Sequence, residues 1–322
     1  MERDLSFSNA LGLPEELLPL LVDSWACEYA SLKKNGTPIT VPLLSFPGET
    51  GRTIDITTGL AYPSKAERAW NNSKVCLLYS DPRATEVEDP PVALVYGHAT
   101  VYDSDLHANT DRSVQTLLPR TKGLNNIPRF MLRWLKSYFA RIWIAVTPLK
   151  VLWWPEGNMK NSPKIWRAPA GTQAPPSDPK PEPLSTPHKP WLDSGGDWRK
   201  DMAYAFDKLG SPVLTVVDDE GYPVPFRVQG GSLEPEGVRL ELSPAMPTKA
   251  HGRACLTFHT LEVNDGEMVS YDNKSFVGTL SDDGVLFKVK RQLGSHEMAS
   301  GLRGALWFIR STLRLEKRIS IE

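Results

Sequence analysis

The chain has 322 residues, long enough for two domains, each with its own core. Its 37 lysines and arginines balance 38 aspartates and glutamates, which excludes a global field for gathering nucleic acid or an anionic membrane, so any anion site has to be local. Cys27, Cys76 and Cys255 are odd in number and far apart, which excludes a disulfide framework and fits thiols packed as small hydrophobes in a reducing compartment.

The first residues, MERDLSFSNALGLPEELLPLL, mix acids and a proline into their apolar stretch and lack the basic region and cleavage site of a secretory signal. No later segment has the length of a membrane span, and a cytoplasmic protein is expected. Leucines recur at helical spacing over 14–25. Apolar or alternating runs then flank Asn35-Gly36, a signal for a two-residue hairpin. RTIDITT (52–58) reads as a strand, followed by a turn with Gly59 and Pro63, a helix SKAERAWNN (64–72) and a strand SKVCLLYSD (73–81). PPVALVYGHATVYD (90–103) is a further strand with Gly97 at a bulge or close approach. Helical stretches at 106–120 and 128–140 precede two final strands, RIWIAVTP and KVLWWP.

Residues 163–190 are dense in proline and poor in aliphatics, the composition of an extended spacer that straps across a surface. Beyond it the order recurs. SPVLTVVDDEGYPVPFRVQ repeats the hairpin, with Gly221 and Pro223 where Gly36 and Pro38 stand. Pro247-Thr248-Lys249 stands for Pro63-Ser64-Lys65, and 273–284 and 284–293 stand for the strands around Gly97 and Trp143. The run at 302–318 is expected to be a helix covering a barrel face. The reading is mainly β (α+β): an N-terminal β-barrel with peripheral helices over 1–158, a linker over 159–196 and a C-terminal barrel over 197–322, packed as an intramolecular pseudo-dimer about an approximate two-fold axis. A further homodimer of the fused pair is left open.

Thr57, Thr58, Ser64, Lys65 and Arg68 form a candidate anion site. Two hydroxyls end a strand, and Ser64-Lys65 opens a helix whose first N–H groups are unpaired and carry partial positive charge. Lys65 adds its charge, and Arg68 lies one turn on. Taken alone, the segment also reads as an ordinary helix start, with Ser64 as N-cap, Glu67 completing a capping box, and Lys65 and Arg68 solvated.

The order of elements shifts that balance. Gly36-x-Pro38 with Val41-Pro42, a strand ending in Thr57, then Ser64-Lys65-Ala66 at a helix start and the strand carrying Val75 and Leu77, resembles the pyridoxamine 5'-phosphate oxidase-like family of split β-barrels. That family includes FMN-dependent and deazaflavin-dependent oxidoreductases. The likeness covers most of 23–155 and, more weakly, 203–292. It implies a flavin or deazaflavin at the junction of two barrels, its phosphate on Thr58, Ser64 and Lys65, and the strand of Val41, Pro42 and Leu43 beside the ring. The arginine-rich strand of pyridoxamine phosphate oxidases proper is missing, so that particular activity is not expected. The second copy loses the helix after Lys249, so one competent site is expected, in the first barrel.

The resemblance thus implies FMN or the deazaflavin coenzyme F-420 as cofactor, with hydride transfer to or from a small-molecule substrate. A flavin- or haem-binding module without turnover is the alternative. No catalytic acid stands out; Tyr62, Tyr79 and Arg141 are possible neighbours of the site. Trp153, Trp154 and Trp166 read as core or linker packing, and the histidines, His98 and His259 included, as strand or surface residues without a metal-ligand pattern.

Overall fold

The computed structural model describes residues 8–60, 63–117, 140–181, 197–264 and 267–293. The helices expected at 128–140 and 302–318, and Tyr62, lie outside them.

Among the described residues, fifteen strands form two antiparallel sheets. The first contains β1 (Cys27–Leu32), β2 (Pro38–Leu43), β3 (Ser45–Pro47), β4 (Ile54–Gly59), β5 (Lys74–Tyr79), β6 (Val92–Tyr102) and β7 (Arg141–Trp154), in the order β2-β1-β5-β6-β7-β4-β3, with β8 (Lys164–Arg167) added alongside β7. The second contains β9 (Val213–Val217), β10 (Pro223–Arg227), β11 (Gly230–Glu234), β12 (Gly237–Glu241), β13 (Gly252–Asn264), β14 (Glu267–Leu280) and β15 (Leu286–Gln292), in the order β10-β9-β13-β14-β15-β12-β11. Subtracting eight from each number of the second order leaves the first permutation, so the chain is two tandem split barrels. The helices α1 (Leu18–Asp23), α2 (Ser64–Asn71), α3 (Leu106–Leu117) and α4 (Trp198–Lys208) lie at their peripheries.

The correspondence holds to the residue. In the first hairpin the Lys33 N–H donates to the Thr37 carbonyl and the Gly36 N–H to the Lys33 carbonyl; in the second, Asp218, Tyr222 and Gly221 make the same pair of bonds. Gly36 and Gly221 have φ of 76° and 81°, the left-handed conformation that closes a three-residue loop with a bulge. The Asn35-Gly36 dipeptide therefore marks the hairpin, but the loop is one residue longer than its two-residue form. Gly97 and Gly278 both sit where the strand register slips. A Cβ at Gly97 would lie 2.6 Å from the Thr147 carbonyl oxygen, and one at Gly278 would lie 2.1 Å from that of Lys288. The two final strands expected in the first half are one strand: β7 runs through Pro148, which faces Gly97 at the bulge, where its missing N–H costs no ladder bond.

Strands β1, β5, β6 and β7 are apolar nearly throughout because both their faces are buried. Tyr29, Val75, Leu77, Val95 and Trp153 point into the first barrel with Ile54, Ile56 and Ile144. Their neighbours Ala30, Cys76, Leu78, Leu94 and Trp154 point the other way and share a core with Val213, Leu214, Phe226 and Phe258 of the second barrel.

Polar contacts fix the register of this seam. Along β13, Cys255 packs on Ile39, the Thr257 hydroxyl donates to the Thr40 carbonyl at 3.3 Å, and His259 Nε2 lies 2.8 Å from Glu28 Oε1. His259 is thus a strand histidine, buried against a carboxylate 231 residues away, a partner that spacing along the chain does not reveal. The same Glu28 oxygen accepts from Arg227 Nη2 at 2.7 Å and from Ser80 Oγ at 3.0 Å. At the rim the contacts are reciprocal. Lys74 of β5 donates to the Glu220 carbonyl at the second hairpin's tip, and its counterpart Arg253 of β13 donates to the Asn35 carbonyl at the first, as a two-fold relation requires.

The linker begins as β8 and then straps across the first barrel. Thr100 Oγ1 donates to the Pro175 carbonyl, Asp178 Oδ2 accepts from the Asp103 and Ser104 N–H groups, and Trp70 Nε1 reaches the Asp178 carbonyl at 2.9 Å.

Two outcomes follow. Gly97→Ala and Gly278→Ala each force a methyl into a backbone carbonyl and are expected to cost about 1–3 kcal/mol, read as a lowered urea midpoint. Arg227→Met leaves the buried Glu28 without its guanidinium and is expected to cost about 3–5 kcal/mol. A loss below 1 kcal/mol in the same titration would show that the pair does not hold the seam.

Candidate functional site

Strand alternation sorts the expected site residues before any ligand is considered. On β4, Ile54, Ile56 and Thr58 face the barrel interior, so Thr57 faces away, on the side of Asp55. That outer side is already built: the buried Asp55 accepts from Trp143 Nε1 at 2.9 Å and Arg112 Nη2 at 2.7 Å, and burial raises its carboxyl above the usual range. Thr58 and Thr57 therefore cannot serve one ligand together, and Thr58 is the hydroxyl that meets the helix.

Pro63 ends the turn and α2 starts at Ser64. Pro63 occupies the cap position and no side chain caps the helix, so Ser64 is the first helical residue and the capping box with Glu67 does not form. The Ser64 side chain is exposed at the helix start. Lys65 and Arg68, in contrast, are only 7% and 8% exposed, which excludes the solvated helix face as their setting. They point inward because α2 lies on β1, β6 and β7 with Ala66 and Ala69 in the barrel core, and the neighbouring positions follow them into the groove.

Inside, Lys65 Nζ donates to Thr58 Oγ1 at 3.4 Å and Arg68 Nε donates to Ser31 Oγ at 2.8 Å. Arg68 Nη2 is buried without a partner, as is the Tyr29 hydroxyl on the same face of β1 as Ser31. Burial, with the positive charges of Arg68 and Arg141, pulls the Lys65 ammonium down to about 7. Burial likewise raises the Tyr29 hydroxyl to about 12. Buried cations are ordinarily paired, so a pocket holding Lys65 and Arg68 against neutral hydroxyls is suited to an anion.

The pocket opens onto a cleft of about 490 Å³ lined by Lys33, Lys34, Asn35, Ser64, Glu67, Arg68, Asn71 and Lys180. Four cations face one carboxylate there, in a chain whose charges otherwise balance. Burial lowers Lys33 from the usual lysine range, and Arg291 of the second barrel and Arg68 add to the effect.

The strand β2 runs along the seam. Val41 lies opposite Tyr29 in the ladder and packs on the cluster of Ile39, Cys255 and Val277, while Leu43 packs on the first barrel's core. Pro42 is buried on the other face, its carbonyl 3.5 Å from the Tyr271 hydroxyl. The structure therefore brings together Thr58, Ser64, Lys65 and Arg68, keeps Val41 and Leu43 on the neighbouring face, and turns Thr57 and Pro42 away. Tyr79 is committed to Ser45 at 2.9 Å, and His98 pairs with the Tyr222 hydroxyl at 3.1 Å. Trp154 is core, its indole N–H donating to the Asn161 carbonyl.

Tyr29, Ser31 and the cleft lysines Lys33, Lys34 and Lys180 were not singled out from the sequence. The available signal was in CEYASL, where Ser31 interrupts a strand with no solvent-facing side.

The corresponding place in the second barrel is built differently. The ladder registers put Leu242 at the position of Thr58, Val216 at that of Ser31 and Leu214 at that of Tyr29. No helix follows β12, and Lys249 is exposed. The hairpin residues matching Lys33, Lys34 and Asn35 are Asp218, Asp219 and Glu220. Tyr96 and Tyr222 meet edge to face at 5.4 Å, with Lys150 Nζ 3.8 Å from the Tyr96 ring centre.

No family model and no curated protein matches the chain. Among solved structures, it is similar to a Clostridium acetobutylicum protein related to general stress protein 26 of B. subtilis, of the pyridoxinephosphate oxidase family; identity is 10%, coverage 45% of this chain and 86% of that one, and the TM-score 0.30. A pyridoxamine 5'-phosphate oxidase-related, FMN-binding protein from Nostoc punctiforme is similar at 14% identity, covering 44% and 85% of the two chains, with a TM-score of 0.30. An F-420 reductase is similar at 16% identity, covering 43% and 98%, with a TM-score of 0.28. Each covers about half of this chain.

Proposed function

We propose that the chain is an oxidoreductase that binds one phosphate-bearing flavin, FMN or the deazaflavin coenzyme F-420, on the first barrel and passes a hydride to or from a small organic substrate. The observation that carries the reading is the buried cation pair of Lys65, on the Thr58 hydroxyl, and Arg68, on the Ser31 hydroxyl with its Nη2 unpartnered. Those groups fit a phosphate: a guanidinium and an ammonium supply charge, Thr58 and Ser64 supply hydroxyls, and the first N–H groups of α2 face the same end. The ring would supply the redox chemistry. The protein's own part is to hold the phosphate, orient the ring along the face of Val41 and Leu43, and keep water from the reacting face.

One cofactor per chain is the expected stoichiometry. A phosphate at the second position would meet Asp218, Asp219 and Glu220 in place of Lys33, Lys34 and Asn35, and Leu242 in place of a hydroxyl. A second reading, a binding module without turnover, draws on Lys180: the linker that straps the first barrel also lines the cleft, and a ring sealed beneath it would have no room for a substrate.

Titration with each coenzyme, followed by desalting and an absorption spectrum, is expected to leave one equivalent of one of them bound. Lys65→Ala with Ser64→Ala removes charge-assisted bonds worth about 1.5–3 kcal/mol each and is expected to weaken binding by 100-fold or more, whereas Lys249→Ala leaves it unchanged. Equal losses at Lys65 and Lys249 would overturn the one-site assignment. Reduction of the bound coenzyme without reoxidation by any small substrate would favour the module over the enzyme.

A further inference from the structure

Among the described residues, no carboxylate pairs with Lys65. On its own helix the charge that acts on it is that of Arg68, while the exposed Glu67 lines the cleft and acts on Arg68. From β4 it meets the Thr58 hydroxyl, and from β7 the Arg141 guanidinium. β1 presents Tyr29 and Ser31 to the adjoining Arg68, and β6 contributes the apolar Ala93, Val95, Ala99 and Val101 to the shared core. Across the seam, Cys255 lies near Arg68. Among the described residues Lys65 has no carboxylate partner, and its one hydrogen bond is to a neutral hydroxyl.

Resting on the reading of this pocket as a phosphate site, we propose that it captures its anion together with a proton, the proton going to Lys65 Nζ. In the free protein the amine is mainly uncharged above pH 7, because burial and two guanidiniums oppose the ammonium. A phosphate dianion reverses the sign of the local potential. The amine then takes one proton from solvent and becomes the third N–H donor to the phosphate oxygens, and no bond to phosphorus is made or broken. Affinity is therefore linked to pH by the protein as well as by the phosphate. Above pH 8, where the phosphate is already a dianion, dissociation constants are expected to rise about tenfold per pH unit until the bound lysine itself titrates. The free fold carries the opposite mark. A lysine lowered in the folded state contributes stability that is present at high pH and lost as pH falls from the unfolded value toward about 7.

The test is calorimetric titration of the full chain with FMN, and separately with inorganic phosphate, at pH 8 in two buffers of different protonation heat. The expected result is uptake approaching one proton per phosphate in the native protein. Lys65→Arg, which keeps the charge and cannot release its proton, is expected to bind with no uptake, and Lys65→Met to bind weakly with none. Binding without proton uptake in the native protein, or uptake that persists in Lys65→Arg, overturns the inference and leaves the phosphate site standing. Failure of phosphate, FMN and coenzyme F-420 alike to bind overturns the phosphate site itself. Thermal unfolding of the free protein gives a second readout: stability gained between pH 7 and pH 10 is expected in the native chain and is absent in Lys65→Met.

Discussion

Four strands of the first sheet are buried on both faces, and their apolar residues alternate between two cores, with the alternation on β7 shifted by one at the bulge. Tyr29 and Leu77 face the first barrel while Ala30 and Leu78 face the second, so a slip of one residue would exchange the two cores wholesale. That constraint accounts for the polar fasteners at the seam. Hydrophobic contact is non-directional and tolerates sliding. Glu28 with His259 and Arg227, and Thr40 with Thr257, fix the register because their bonds are lost when the strands shift.

The same double burial places the candidate site. The groove between α2 and β1 lies beside Cys255 and Arg291 of the second barrel, and its low-dielectric walls make each charge inside it more consequential. Lys65 and Arg68, buried there beside neutral hydroxyls, oppose the folded state when no anion is present, and the two cores supply the stability against which that opposition is borne.

Much of this was legible in the sequence because it rests on local rules. Gly36 and Gly221 mark equivalent hairpins through their need for positive φ, Gly97 marks a bulge, and the tandem order of strands repeats in both sheets. The length of the first hairpin loop and the continuity of β7 through Pro148 depend on which carbonyl each N–H finds across the ladder, and dipeptide chemistry does not report that. For the site, Ser64, Lys65, Arg68 and Thr58 were visible as a segment. The choice between a solvated helix face and a buried pocket depended on what lies over α2. Thr57 was grouped with Thr58 by adjacency, and the two-residue period of the strand then turned it outward. His259 was unreadable because its partner, Glu28, is brought to it only by the packing of one barrel on the other.

The reciprocal contacts of Lys74 and Arg253 with opposing hairpin tips have the form of a homodimer interface, yet both lie in one polypeptide. In a true two-fold dimer every substitution is made twice, so a hairpin that acquires lysines acquires them at both ends, and a groove that closes at one end closes at the other. Joining the halves lifts that obligation. One tip carries Lys33 and Lys34 while its counterpart carries Asp218 and Asp219, and one end keeps an open cationic cleft while tyrosines meet at the other. The linker's consequence is therefore informational as well as mechanical: it turns a symmetric scaffold into one with a distinguishable front and back.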